Sequence, residues 1–202
     1  MPIINCSLLI INFNPFLQDL DRRVSLAING AHSPALDTLM VFASDREVWF
    51  PLYALLIGGL VYWFRRRAVL LLALLIAAIA LADRITSGLF KPYFARPRPC
   101  HEPDLASLLY TPWGCGGQFG FLSSHAANSI ALAVFLTLVL PAQQRWVKIT
   151  AFVWAVLLCY SRIYLGAHYL TDVLGGGLVG GLLGWGAAVA FRRLTAGNSF
   201  RR

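Results

Sequence analysis

The sequence predicts an all-α protein, a polytopic bundle of about five transmembrane helices preceded by amphipathic helices at the membrane interface. Three observations carry that prediction. Of the 202 residues 58% are apolar and only 13% charged, about half the quarter usual in soluble domains, and the mean hydropathy is +0.65. Several apolar runs approach the roughly 20 residues needed to cross a bilayer, and they are continuous rather than alternating, which argues against a closed barrel. Finally, the charges are segregated along the chain in the way membrane topology requires.

Taken in order, Met1-Pro2-Ile3-Ile4-Asn5-Cys6 carries no basic stretch, so no cleavable signal peptide is expected. Residues 14 to 31 place Phe16, Leu20, Val24 and Ile28 four apart, with Asp19, Arg22 and Arg23 on other faces. That pattern predicts an amphipathic helix lying in the interface, or a packing helix against the bundle. Ser33-Pro34 reads as an N-cap and first helical residue, opening a second short helix to about Ala43. Spans are expected over about 48–64, 68–90, 123–141, 146–160 and 173–191, with a proline-rich loop over 91–122. The first span has Trp49, Tyr62 and Trp63 as interfacial anchors and stops at Arg65-Arg66-Arg67. The last carries Gly176, Gly180 and Gly184 at four-residue spacing, as do Gly177 and Gly181, a pattern that lets helices approach closely and needs no catalytic explanation. The whole is expected to be one membrane domain: interfacial helices over 1–46, a core over 47–192 and a cytoplasmic tail over 193–202.

With five spans, Arg65, Arg66, Arg67, Arg145, Lys148, Arg192, Arg193, Arg201 and Arg202 fall on one side, and no acidic residue joins them. The positive-inside rule makes that side cytoplasmic and turns the 91–122 loop and the 161–172 junction outward. The net charge of +8 is then a topology signal, and nucleic acid is not an expected partner. An outward loop meets an oxidising compartment, so Cys100 and Cys115 are candidates for a disulfide, with two unpaired thiols as the alternative. Closing a loop of that length would stabilise by roughly 3 kcal/mol.

The chemistry-bearing residues collect at the outward ends of the spans. In Ser161-Arg162-Ile163-Tyr164-Leu165-Gly166-Ala167-His168-Tyr169-Leu170-Thr171-Asp172 the histidine and the last aspartate are four apart. On a helix they share a face, and a carboxylate on one imidazole nitrogen raises the basicity of the other. Lys91, Arg98 and Arg162 supply cations suited to a phosphoryl group. Ser123 and Ser124 sit where a span begins, so free backbone N–H groups and the helix dipole add an anion site, and His125 follows them directly.

Three motifs, Lys91-x6-Arg98-Pro99, Ser123-Ser124-His125 and Ser161-Arg162-x5-His168-x3-Asp172, resemble the signatures of the type 2 phosphatidic acid phosphatase (PAP2) family over about residues 83 to 186. The second departs from that family's usual Pro-Ser-Gly-His, reading Leu122-Ser123-Ser124-His125. The resemblance implies an integral-membrane lipid phosphatase with a core like that of vanadium haloperoxidases, in a bacterial plasma membrane with its site facing the periplasm. It implies undecaprenyl diphosphate, phosphatidylglycerol phosphate or phosphatidic acid as substrate, with a slight lean to the first. Lipid A phosphatase or phosphotransferase activity at the same residues, and a non-catalytic lipid-phosphate binder or translocator, are the alternatives.

The expected catalytic set is His168 as the nucleophile that forms a phosphohistidine, Asp172 as its orienting acid and His125 as proton donor and then base. Lys91, Arg98, Ser123, Ser124 and Arg162 are expected to bind the phosphate. Asp83, within a span and four and eight residues from Ser87 and Lys91, is expected to brace the basic cluster, through an arginine among the options, or to form a plain ion pair. Arg96 and His101 read as solvated loop residues. No metal or other cofactor is expected, since the region lacks paired carboxylates or a His/Cys ligand set suited to a two-metal phosphatase. Nothing in the sequence fixes the oligomeric state.

Overall fold

Residues 14–196 are described by a computed structural model, in which helices follow one another through most of the chain. Cys6, the start of the chain and most of the proposed 193–202 tail, with Arg201 and Arg202, lie outside the described residues. Helix α1 spans Pro15–Gly30, opened by the Asn14 side chain accepting from the Phe16 N–H, and α2 spans Pro34–Ser44 with Ser33 as N-cap. A continuous helical stretch, Glu47–Phe94, is apolar enough to cross a membrane and, at 48 residues, long enough to do so twice. It breaks where Arg65 takes φ +52°, dividing it into α3 (Phe50–Phe64) and α4 (Ala68–Asp83). Beyond α4 the chain is wound as a π-helix over Arg84–Phe90 and closes with the one-turn α5, Lys91–Phe94.

The 95–123 loop contains a 3-10 turn, Pro99–His101, and the short α6, Pro103–Ala106. Then follow α7 (Ser124–Val139), α8 (Arg145–Tyr164) and α9 (Leu170–Ala196). The stretches 142–164 and 170–196 have span length, whereas α7 has 16 residues. Helix α7 is the central one, packed on α4, α8 and most extensively α9. Away from the loop, Leu60, Leu71, Leu75, Phe135, Leu136 and Phe191 form the principal buried cluster. A smaller one of Ala126, Ile163 and Val173 lies beside the residues described next.

Two elements differ from expectation. The face that α1 buries is polar: Asp21, Ser25 and Asn29, four apart, are 1%, 0% and 2% exposed, whereas Phe16 is 69% exposed. For Asp21 and Asn29 the cause is partners supplied from far along the chain, since a buried polar group is tolerated where it is hydrogen-bonded; the Ser25 hydroxyl has no such partner. The Asn29 amide donates to the Tyr164 and Tyr110 carbonyls at 2.8 and 2.9 Å and accepts from the Tyr110 N–H at 2.8 Å. The second difference is at the 161–172 junction. Helix α8 runs on to Tyr164, so Arg162 is helical, and only Leu165–Tyr169 links it to α9. Gly166, at φ +67°, makes the turn that ends α8, a conformation glycine adopts without steric cost.

Candidate active site

That turn sets the geometry of the third motif. The N–H groups of Ala167 and His168 both donate to the Arg162 carbonyl, at 3.0 and 3.1 Å, so the arginine and the histidine are tied through backbone. His168 precedes α9 and Asp172 lies in its first turn, so the two meet across a helix start rather than along one helix face. Asp172 Oδ2 reaches back to accept the Tyr169 N–H at 3.0 Å, the acidic half of a capping box at a terminus that favours negative charge. The same oxygen lies 3.5 Å from His168 Nδ1, with the two side chains 1% and 0% exposed. That distance is longer than a good hydrogen bond, and Nδ1 has no other partner. Such contacts commonly tighten when substrate binds. Gly120 packs directly over the pair: a Cβ there would stand 3.0 Å from Asp172 Oδ2 and 3.6 Å from His168 Nδ1.

The first motif comes from two elements. Lys91 Nζ donates to Ser124 Oγ at 3.3 Å and to Ser87 Oγ at 3.2 Å. Ser87 in turn donates to Asp83 Oδ1 at 3.4 Å. The link from Asp83 to the basic cluster therefore runs through a serine rather than an arginine. The wider turn of the π-helix stacks residues four apart nearly in register, and such turns recur at functional positions. Arg98 is buried in the loop: Nε donates to the Phe119 carbonyl at 3.2 Å and Nη1 to that of Cys115 at 3.0 Å. Cys115 is bonded to Cys100, with Cα atoms 6.1 Å apart. His101 is exposed and lies 3.2 Å from the Gly116 carbonyl. Cys100, Cys115 and His101 are the one group of potential metal ligands brought together among the described residues, and the disulfide occupies both sulfurs, so this set does not suit a metal ion.

The second motif opens α7. Ser123 Oγ caps the Ala126 N–H at 3.4 Å, and the Ser123 N–H donates to the Asp172 backbone carbonyl at 3.0 Å. The starts of α7 and α9 are thereby joined. His125, in the first turn, lies within electrostatic reach of Arg162, His168, Lys91 and Arg98. Arg162 donates from Nη1 to Ser44 Oγ, while its buried Nε has no partner. The structure thus brings Lys91, Arg98, Ser123, Ser124, His125, Arg162, His168 and Asp172 into one cluster. Asp83 stands outside it at the far end of the serine link.

Arg96 is not the solvated loop residue that sequence suggests. Its side chain is 12% exposed and donates to Asp172 Oδ1 at 2.8 Å and Asp21 Oδ2 at 2.7 Å. Asp21 and Thr171 were equally invisible as site residues. The pattern of apolar residues over 14–31 does not single out Asp21, and the one available signal is that Asp21, Ser25 and Asn29 form a regular stripe.

Comparison with known proteins fits this arrangement. A family profile described as the PAP2 superfamily matches residues 67–196. The chain is 38% identical over 184 residues to the lipid A 4'-phosphatase of Bacteroides thetaiotaomicron, covering 90% of this chain and 81% of that protein. It is 35% identical over 177 residues to phosphatidylglycerophosphatase B of Bacillus subtilis, covering 83% and 81%. The crystal structure of a transmembrane PAP2-type phosphatidylglycerolphosphate phosphatase from Bacillus subtilis superposes with a TM-score of 0.66 at 26% identity, covering 94% of this chain and 91% of that one. On this breadth of match the chain is a polytopic, all-helical membrane protein that belongs to the PAP2 superfamily.

Proposed function

We propose that this protein is a lipid phosphate phosphatase that works through a phosphohistidine at His168, without a metal ion. The observation that carries the reading is the convergence of both motif histidines with three cations drawn from α5, the outward loop and α8. In the first step the free nitrogen of His168 attacks phosphorus in line, the bond to the lipid oxygen breaks, and His125 gives that oxygen its proton. In the second His125 takes a proton from water, the hydroxide attacks phosphorus, the P–N bond breaks and inorganic phosphate leaves. Lys91, Arg98, Arg162 and the N–H groups at the start of α7 hold the equatorial oxygens, where charge accumulates in phosphoryl transfer. Asp172 keeps the Nδ1–H tautomer facing itself.

The substrate head enters from the outer face, since Arg65–Arg67, Arg145, Lys148, Arg192 and Arg193 gather at the other ends of the helices. In this reading the chain is one domain of a bacterial inner membrane, with α1 and α2 at the periplasmic interface. Undecaprenyl diphosphate, phosphatidylglycerol phosphate and phosphatidic acid are candidates. Likeness to a lipid A 4'-phosphatase over 90% of the chain supports a second reading, removal of phosphate from a lipid-borne sugar. The test is phosphate release from these four lipids by purified protein with chelator present. Release from at least one is expected. Activity that vanishes with chelator and returns with magnesium overturns the metal-free reading, and inert behaviour toward all four overturns the class.

The nucleophile has to be neutral. Burial pushes the His168 imidazole down to about 4, against the opposing pull of Asp172, from the usual value of about 6.5. Loss of activity through protonation of His168 is therefore expected only as pH falls through about 4. For the same reason this group destabilises the fold as pH falls below the unfolded value, where the unfolded chain takes up the proton first. A limb in kcat/KM near the free-imidazole value that moves in Asp172→Asn would contradict this; a limb owed to the substrate's own ionisation would stay in place.

A further inference from the structure

On the reading that His168 is the nucleophile, we infer that Arg96, clamped by Asp21 of α1, is the positioning residue that aims Asp172 at it. The guanidinium lies between two buried carboxylates whose side chains are 2% and 0% exposed. Nη1 donates to Asp172 Oδ1 and to Thr171 Oγ1, each at 2.8 Å, and Nη2 to Asp21 Oδ2 at 2.7 Å. Its plane is fixed from below by the Tyr169 ring, 4.0 Å from Cζ to centroid. Asp21 is itself immobilised, accepting from the Thr171 N–H at 2.9 Å and from the Thr171 hydroxyl.

The consequence for Asp172 is geometric. With Oδ1 committed to Arg96, and Oδ2 to the Tyr169 N–H, the carboxylate cannot rotate, and Oδ2 is the oxygen left beside His168 Nδ1. A planar fork that meets two acceptors at once supplies an orientation that a point charge does not. The consequence for charge is as direct. Without Arg96, Asp21 and Asp172 would be two like charges buried in one place with the intervening cation gone, and their repulsion would push the Asp172 carboxylate from its place beside the imidazole. A helix that sequence reads as an interfacial accessory thus supplies a residue on which the catalytic geometry depends.

The test compares wild type with Arg96→Gln, Arg96→Lys, Asp21→Asn and the double variant Asp21→Asn/Arg96→Gln, beside His168→Ala, reading kcat, KM and thermal stability in detergent. Arg96→Gln is expected to lower kcat by roughly 10- to 100-fold, by analogy with the loss of residues that orient metal-ligating side chains, with KM within about twofold of wild type. Arg96→Lys is expected to fall between the two. In the double variant both charges are absent, so thermal stability should return while kcat stays low. Recovery of kcat together with stability would reduce Arg96 and Asp21 to a structural ion pair, and a folded Arg96→Gln enzyme with wild-type kcat would remove the role outright. Turnover in His168→Ala would instead overturn the nucleophile assignment on which the inference rests, and a silent His168→Ala beside a fully active Arg96→Gln would overturn the inference alone. If Arg96→Gln does not fold, Asp21→Asn and the double variant decide the question by the same split.

Discussion

Replacing His168 with alanine is expected to abolish phosphate release, by about 10⁴-fold or more, because the covalent route has no other nucleophile to fall back on. His168 is almost wholly buried and its backbone N–H is fixed to the Arg162 carbonyl, so the position of the imidazole is set by the fold. The variant should still fold, since the loss is one imidazole whose Nδ1 has no hydrogen-bond partner within the protein. His125→Ala should behave differently. Losing an acid and base costs about 10²–10⁴ in rate, but the first step survives when the leaving group needs no proton. With an aryl phosphate the variant should therefore accumulate phosphoenzyme. Radiolabelled phosphate retained on the protein after an alkaline denaturing quench reports this: label on wild type and more on His125→Ala, none on His168→Ala. Label on His168→Ala would sink the assignment, whatever the turnover.

The second large effect is expected at Gly180, far from any charge. A Cβ there would be driven into the Ala127 carbonyl, as one at Gly176 would meet that of Ser123 and one at Gly184 that of Ala131. These glycines form a single stripe along which α7 and α9 touch backbone to backbone, burying all three. Within a bilayer the hydrophobic effect does not hold helices together, so close packing does. Gly180→Val must push the helices apart. α7 carries Ser124 and His125 behind its cap Ser123, and α9 carries Asp172, so on the proposed mechanism their separation is a catalytic distance. A misplacement of about 1 Å can cost about 10²-fold in rate, and overpacking adds about 1–3 kcal/mol of destabilisation. Both kcat and Tm should fall. Gly177→Ala and Gly181→Ala are the controls, because a Cβ would sit 3.7 and 3.8 Å from Ile130, ordinary contact. If Gly180→Val matched those controls, the close approach of the two helices would not matter to the enzyme.

Much of the site was legible because its residues are conspicuous where they stand. Basic residues at the other ends of the spans are accounted for by topology, whereas histidines, an aspartate and cations gathered in three short motifs at one set of ends are not. The helices were legible for the same reason, as uninterrupted apolar stretches. What was not legible depended on partners far along the chain. Asp21 pairs with residues 75 and 150 positions away, and on its own helix it resembles any solvated acid. Arg96 sits two residues from Arg98 in a loop of mixed charge, and only the fold decides which of them faces inward to a carboxylate. The relation of His168 to Asp172 was read with the right pairing and the wrong frame. Four residues suggests one helix face, but Gly166 ends one helix early enough that the pair meets across the beginning of the next. The glycine itself was visible; its left-handed turn was not.

The grip of α1 on the rest of the protein has a consequence for biosynthesis. Its Asp21 is made 150 residues before the Thr171 it must hold, and its Asn29 135 residues before Tyr164. Arg96 and Tyr110 reach that stripe midway through synthesis, but α1 completes its contacts only when the last pair of helices is in place. On the proposed mechanism, a nascent chain arrested at the end of α8 would carry Lys91, Arg98, Arg162 and His125 yet lack His168 and Asp172, so hydrolysis would wait for the last helix.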